Sequence, residues 1–362
     1  MRCKINFKWE MEVGKNIQPR PFLRGCRIWI GRILIGLAAL IFIILCATLI
    51  AGAKAKSDLK AKYPPPGRMV DVGGYRLHIL CEGTGSPTVV MESGSGRASL
   101  DWELVRPEII KTTRTCVYDR AGLGWSDLSS KPRTAENIVE ELHTVLTNAG
   151  IAGPYVLVGH SIGGAYVRLY AHHFPDDVVG MVLVDSSHED QLARYPPEMA
   201  SYLTQYNQVY ETQMDFIKSL AEMGIVALDP TMMAESDKLP VTARETYEAL
   251  YANSKVFTAL IAEQKMVESN LAQVGAAQIT SLGDIPLIVL TRGRSDDLIG
   301  SGLSPEVIQQ YDQVWRQLQK ELTGLSPQGR QIIASQSGHF IQLDQPQLVI
   351  DAIDQVIADV RK

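Results

Sequence analysis

The chain has only five cysteines in 362 residues, and no two of them stand in a C-x-x-C pair. That pattern excludes a zinc ribbon or finger, and it excludes the dense disulfide framework of a small secreted scaffold. Cys3, Cys26 and Cys46 precede the globular part, and a bridge between the other two, Cys81 and Cys116, has no sequence signal of its own. Positive charge is not in excess either. The formal net charge is −5 and most of the basic surplus sits in the first 32 residues, so no nucleic-acid partner is expected. Internal repeats and low-complexity tracts are absent, which argues against a solenoid or a disordered linker protein. With 46% hydrophobic and 21% charged residues, the composition is that of a chain able to bury a core.

What is present begins with an asymmetric N-terminus. Arg2, Lys4, Lys8, Lys15, Arg20, Arg24, Arg27 and Arg32 face only Glu10 and Glu12, and the following run from Ile33 to Ala53 carries no charge. An apolar run of roughly 20 residues at 1.5 Å rise crosses the hydrocarbon core of a bilayer, and a signal-peptide core is usually shorter, about 7–15 residues. The run therefore predicts one transmembrane helix. A cleaved signal is the alternative, with small-x-small sites at Ala51-Gly52-Ala53 and Ala53-Lys54-Ala55. The cationic flank places the tail in the cytoplasm and the bulk of the chain outside it. Lys54, Lys56, Lys60 and Lys62 on the other flank reduce that asymmetry. Ser57 to Pro66 is charged and then Pro-rich, the composition of a short stiff spacer. The expected organisation is a basic tail (1–32), a transmembrane helix (33–53), a linker (54–67), a catalytic core in two parts (68–187 and 284–362) and an inserted helical lid (188–283).

Within the core, Met69 to Val72 and Tyr75 to Cys81 flank Gly73-Gly74, a hairpin signal for an antiparallel opening pair. Six further apolar runs alternate with helical patterns: Thr88 to Met91, Thr115 to Tyr118, Tyr155 to Val158, Val178 to Val184, Pro286 to Leu290 and Gln331 to Ala334. They lack polar alternation, as strands buried on both faces do. The fold class is therefore α/β: an eight-stranded, mostly parallel sheet with helices on both faces. Between about His188 and Gly283 the rhythm stops, and a stretch too long for a loop shows helical patterning instead. It holds six of the eleven Met and six of the thirteen Tyr, side chains that suit either an adaptable binding wall or ordinary helix packing.

The chemistry gathers at Gly159-His160-Ser161-Ile162-Gly163, which follows one strand directly and opens a helix. A serine on so sharp a turn has its hydroxyl pushed above the sheet edge. Gly159 and Gly163 remove side chains that would collide there, and the helix N-terminus favours a developing oxyanion. A neutral hydroxyl needs a base, and the base needs an acid to hold its tautomer. Of the seven histidines, His339 alone stands in a loop after the last strand; His160 is next to Ser161 but points elsewhere on the turn. For the acid, Asp296 is preferred, beyond the strand ending at Leu290 and the turn Thr291-Arg292-Gly293. Asp297 and Asp185 are the other carboxylates at that edge. The oxyanion hole should use the amide of Ile162 and a second one from Ser93-Gly94-Ser95-Gly96, where Ser95 is the expected donor. Those glycines lack a Gly-Lys-Ser/Thr ending and so do not form a nucleotide loop.

Three segments carry a resemblance: Asp119-Arg120-Ala121-Gly122-Leu123-Gly124-Trp125-Ser126-Asp127, Gly159-His160-Ser161-Ile162-Gly163-Gly164, and Gly338-His339 ahead of Gln345-Pro346. From about Gly67 onward the chain resembles the lid-bearing α/β hydrolases, which include esterases, lipases and proline iminopeptidases. The resemblance implies Ser161 as nucleophile, His339 as base, Asp296 as acid and Ser95 with Ile162 as oxyanion donors. It also implies an acyl-enzyme mechanism on carboxylic esters that needs no metal or organic cofactor. Many relatives have His-Gly where this chain has Ser93-Gly94, and epoxide hydrolases and haloalkane dehalogenases use an aspartate in place of Ser161. Two rival functions are an N-terminal aminopeptidase, which would use acidic lid residues such as Glu211, Asp215, Glu222 and Glu263, and a non-catalytic binding protein built on the same fold.

Overall fold

The computed structural model describes residues 21–233, 236–295 and 298–362. Eight strands form one sheet: β1 (Arg68–Asp71), β2 (Arg76–Glu82), β3 (Thr88–Glu92), β4 (Thr115–Tyr118), β5 (Tyr155–His160), β6 (Val178–Val184), β7 (Leu287–Arg292) and β8 (Gly329–Ala334). Their spatial order is β1-β2-β4-β3-β5-β6-β7-β8. β2 pairs antiparallel with both β1 and β4, and every pairing from β4 to β8 is parallel. The apolar runs are strands because each side of the sheet is covered. Val90, Leu157, Met181, Leu183, Leu287 and Val289 pack on one face. Val89, Val156, Val158, Val182, Val184, Ile288 and Leu290 pack on the other. Full burial of such a side chain is worth roughly 1.5–3 kcal/mol, so a polar residue at any of these positions has no exposed face to turn to.

The helices are α1 (Pro21–Lys62), α2 (Arg106–Ile109), α3 (Ala135–Asn148), α4 (Ile162–His173), α5 (Gln191–Arg194), α6 (Pro197–Glu222), α7 (Ile225–Leu228), α8 (Val241–Tyr251), α9 (Ser254–Ala276), α10 (Pro305–Thr323), α11 (Ile341–Asp344) and α12 (Pro346–Val360). α3 and α4 cover the first face of the sheet, and α2 and α12 cover the second. Elements α5 to α9 form the insertion between β6 and β7. Its core of Val226, Tyr247, Phe257 and Leu260 closes over Ala98, Leu100 and Leu123 from the loops above the sheet.

Two compact units are present, Met1–Ile50 and Ala51–Lys362. Among the described residues, α1 is the one helix long and apolar enough to cross a membrane, and its apolar side chains are exposed, Ile35 at 71%. Where a spacer was expected from residue 54, the helix instead continues to Lys62. The reason is local. Ala, Lys and Leu dominate the segment and favour a helix, Lys54 pairs with Asp58 one turn on at 2.7 Å, and only Pro64 ends the run. Ala55 and Leu59 pack against the lid core, and Lys56 Nζ donates to the carbonyl of Glu222 at 2.9 Å. The structure also joins Cys81 to Cys116, which face each other across β2 and β4.

Candidate active site

The geometry is set by β5 and β6. Ser161 follows β5 with φ 55° and ψ −127°, a left-handed conformation that costs a non-glycine residue about 1–3 kcal/mol. Neighbouring backbone holds it there. Its N–H donates to the carbonyl of Val184 at 3.1 Å, and its carbonyl accepts from Gly164 at 3.0 Å and Ser187 at 2.9 Å. The two glycines singled out from sequence are sterically required. A Cβ on Gly159 would lie 2.6 Å from the Gly164 Cα, and one on Gly163 would lie 2.6 Å from the carbonyl oxygen of Ser93. Ser161 thus caps α4 without a side-chain hydrogen bond, and Ile162 supplies the first amide of the helix.

His339 lies between β8 and α11 and is partly exposed. Its Nδ1 meets Asp185 Oδ2 at 2.6 Å. An ionised carboxylate only accepts, so the proton is on Nδ1 and Nε2 is left as the ring's acceptor. Asp185 stands directly after β6, in register one step beyond the pair His160 and Val184, and it too has a left-handed φ of 43°. It is completely buried. Oδ1 accepts from the Arg292 amide at 3.0 Å and from Trp315 Nε1 at 2.7 Å, and Oδ2 accepts from Arg292 Nη1 at 3.0 Å besides His339. Burial alone would raise its pKa, but the Arg292 guanidinium and the bond to His339 outweigh it and hold the carboxyl well below the usual carboxylate range.

Asp296, the acid preferred from sequence, lies outside the described residues, as does Asp297. The carboxylate that His339 meets is Asp185. Both assignments satisfy the chain order Ser, Asp, His, so order could not separate them. A sharper sequence signal was available in the position of Asp185, with no residue between it and the last residue of the strand beside the nucleophile's own.

His160 is buried below this pair and spans to it. Its Nε2 lies 3.0 Å from the carbonyl oxygen of His339, which requires the proton on Nε2. Burial, reinforced by the nearby His339, lowers its pKa to about 3, so it is a neutral structural link. Gly94 is tight against the same ring. A Cβ there would come 2.8 Å from His160 Nδ1 and 3.3 Å from Ser161 Cβ.

The loop carrying Ser95 is fixed on both sides of that residue. Arg120 Nη1 donates to the Ser93 carbonyl at 2.7 Å and Nη2 to the Gly94 carbonyl at 2.6 Å. The Arg97 amide also donates to Gly94, the Gly96 amide donates to Glu263 Oε2 at 2.9 Å, and the Ala98 amide donates to Tyr247 Oη at 3.0 Å. Tyr251 Oη donates to the Gly96 carbonyl at 2.5 Å. Among the described residues the Ser95 N–H donates to none. Sequence reading had no access to these supports. The tyrosines of the insertion suited either a binding wall or helix packing, and Tyr247 and Tyr251 are buried phenols tied to this loop. Among the described residues no cluster of His, Cys, Asp and Glu could hold a metal ion.

Residues 89–352 match the sequence profile described as the alpha/beta hydrolase family. The chain belongs to that family. Its α/β-hydrolase core is similar in sequence to YqjL of Bacillus subtilis, an uncharacterised protein, at 27% identity over 76% of this chain and 85% of that one. It is also similar to a Hormonema carpetanum protein named "Probable transporter efuK", at 28% identity over 80% of this chain but only 42% of the relative's length. Among solved structures, the haloalkane dehalogenase DatA of Agrobacterium tumefaciens C58 superposes with a TM-score of 0.60 at 17% identity, covering 82% of this chain and 98% of that one. That likeness is one of fold.

Proposed function

We propose that this α/β hydrolase is a serine hydrolase that cleaves carboxylic esters through an acyl-enzyme, with Ser161 as nucleophile, His339 as base and Asp185, in place of Asp296, as the acid. The observation that carries the reading is the 2.6 Å bond between His339 Nδ1 and the completely buried Asp185, which directly follows the strand beside the one that leads into Ser161. Ser161 Oγ attacks the ester carbonyl carbon and gives its proton to His339 Nε2. The oxyanion that forms is met by the amides of Ile162 and Ser95. The alkoxide leaves with the proton from His339, and water, deprotonated in turn by His339, releases the acid and restores Ser161. Asp185 stays ionised throughout and stabilises the imidazolium.

Ester cleavage is favoured over removal of N-terminal residues because the acidic lid groups available for a substrate amine are largely engaged or exposed. Glu263 is buried against Arg120, Glu211 pairs with Lys265 at 3.4 Å, and Asp215 and Glu222 face solvent. The anchor belongs to the same proposal: α1 spans a membrane and the hydrolase core lies on the extracytoplasmic side. The basic tail supports that orientation, and so does the Cys81–Cys116 bridge, a linkage that persists in oxidising compartments.

The test is labelling of the full-length protein in detergent by a fluorophosphonate, together with hydrolysis of p-nitrophenyl esters of graded chain length and of aminoacyl amides. Parent protein should label and turn over esters, and Ser161→Ala should do neither. A folded parent that does not label would leave the binding-protein reading in its place, and a preference for the amides would transfer the assignment to an aminopeptidase.

A further inference from the structure

The geometry points to Arg120 and Glu263 as positioning residues that set the second oxyanion donor, so that the hole is complete only while the lid helix α9 is seated on the core. This rests on the serine-hydrolase reading for its chemistry, but the contacts themselves are independent of it.

Arg120 follows β4 by two residues and is 1% exposed. A buried guanidinium is costly unless every N–H is used, and here they are spent on two carboxylates and two carbonyls. Nη1 pairs with Glu92 at 2.5 Å, Nε and Nη2 take the two oxygens of Glu263 at 2.8 Å each, and the remaining bonds go to the carbonyls of Ser93 and Gly94. Glu263 completes the arrangement from the lid, because the Oε2 that meets Arg120 also accepts the Gly96 amide. The bracket therefore pulls the carbonyls before Ser95 one way and fixes the amide after it, with the Ser95 N–H between them donating to no described residue. Lid packing enforces the same register. A Cβ on Gly96 would collide with the Leu260 side chain, and one on Gly122 would meet Ala259 at 2.5 Å, both on α9.

An oxyanion donor works by being preorganised, so its displacement by an ångström is felt in the transition state far more than in substrate binding. Loss of one donor costs about 100–1,000-fold in kcat, and loss of its support should cost somewhat less. In Glu263→Gln the neutral amide keeps the volume but weakens all three bonds of the bracket, two to Arg120 and one to the Gly96 amide. The expected result is a kcat lower by about 10–100-fold with KM within about threefold. Affinity for a trifluoromethyl ketone, whose adduct with Ser161 carries the oxyanion, should fall by the same factor as kcat. Because removing a charge beside buried Arg120 can unfold the chain, Tyr251→Phe serves as the second variant. It removes the bond to the Gly96 carbonyl, with the hydroxyl's 3.5 Å contact to Tyr247 Oη, while leaving every charge around Arg120 in place, and should show the same kcat-limited pattern at smaller size. Amide hydrogen exchange of the peptide spanning Ser93 to Arg97, read by mass spectrometry, should rise in both variants while the β5 and β6 peptides stay protected.

Unchanged exchange in that peptide, or a loss expressed in KM with kcat intact, would overturn the assignment. If the parent neither turns over esters nor binds the ketone, the serine reading fails on its own. The exchange data then still decide whether Arg120 and Glu263 hold the loop.

Discussion

At the scale of single residues, the telling group is Asp185. It carries a left-handed φ, complete burial and four hydrogen-bond donors, and a side chain is kept in so constrained a state only where its neighbours over-determine it. Asp185→Asn should keep the shape and lower kcat by about 1,000–10,000-fold, because an amide facing Nδ1 favours the wrong tautomer of His339. Asp296→Asn should stay within about threefold of the parent, read by steady-state ester hydrolysis. A stability signature accompanies the kinetic one. The folded pKa of Asp185 is depressed, so its contribution is complete above the unfolded carboxylate value of about 4 and is lost as pH falls below it. Asp185→Asn, which leaves Arg292 beside a neutral amide, should therefore unfold more easily than the parent at pH 7. The gap should narrow below about pH 4 in denaturant titrations. The residues proposed as nucleophile and base, Ser161 and His339, each sit in a local sequence pattern: strand, Gly-x-Ser-x-Gly, helix; and Gly-His after a last strand. The carboxylate that meets His339 has no such pattern, because the pairing depends on which of two adjacent strand ends His339 faces.

At the scale of elements, the sheet was legible nearly strand for strand, since burial on both faces leaves an apolar run that polar alternation cannot mimic. The spacer was less so: Pro64 to Pro66 advertise a break, but the preceding lysine and alanine residues extend α1 up to it. The supports of the loop carrying Ser95 were invisible in the sequence, because those from the insertion come from α8 and α9, more than a hundred residues further along the chain. Steric constraint at this loop is itself testable. Gly94→Ala puts a methyl group against His160 and Ser161 Cβ, and the ring cannot retreat without breaking its bond to the His339 carbonyl. The expected result is a loss of about tenfold or more in kcat, with Tm lowered by only a few degrees, measured by ester hydrolysis and calorimetry.

At the scale of the whole molecule, Cys81 and Cys116 tie the antiparallel edge of the sheet to the strand next to it, closing a loop over 35 positions of sequence. By chain entropy such a link is worth about 2–5 kcal/mol. Cys81→Ser should lower Tm by about 5–15 °C, and in the parent both thiols should resist alkylation until a reductant is added. The insertion between β6 and β7 has a wider consequence. It supplies a carboxylate and two phenols to the backbone of the loop from Gly96 to Ala98. A replacement of the insertion would have to bring a carboxylate and two phenols to the positions of Glu263, Tyr247 and Tyr251, so a segment far along the chain is constrained at three sites by a loop that it does not contain.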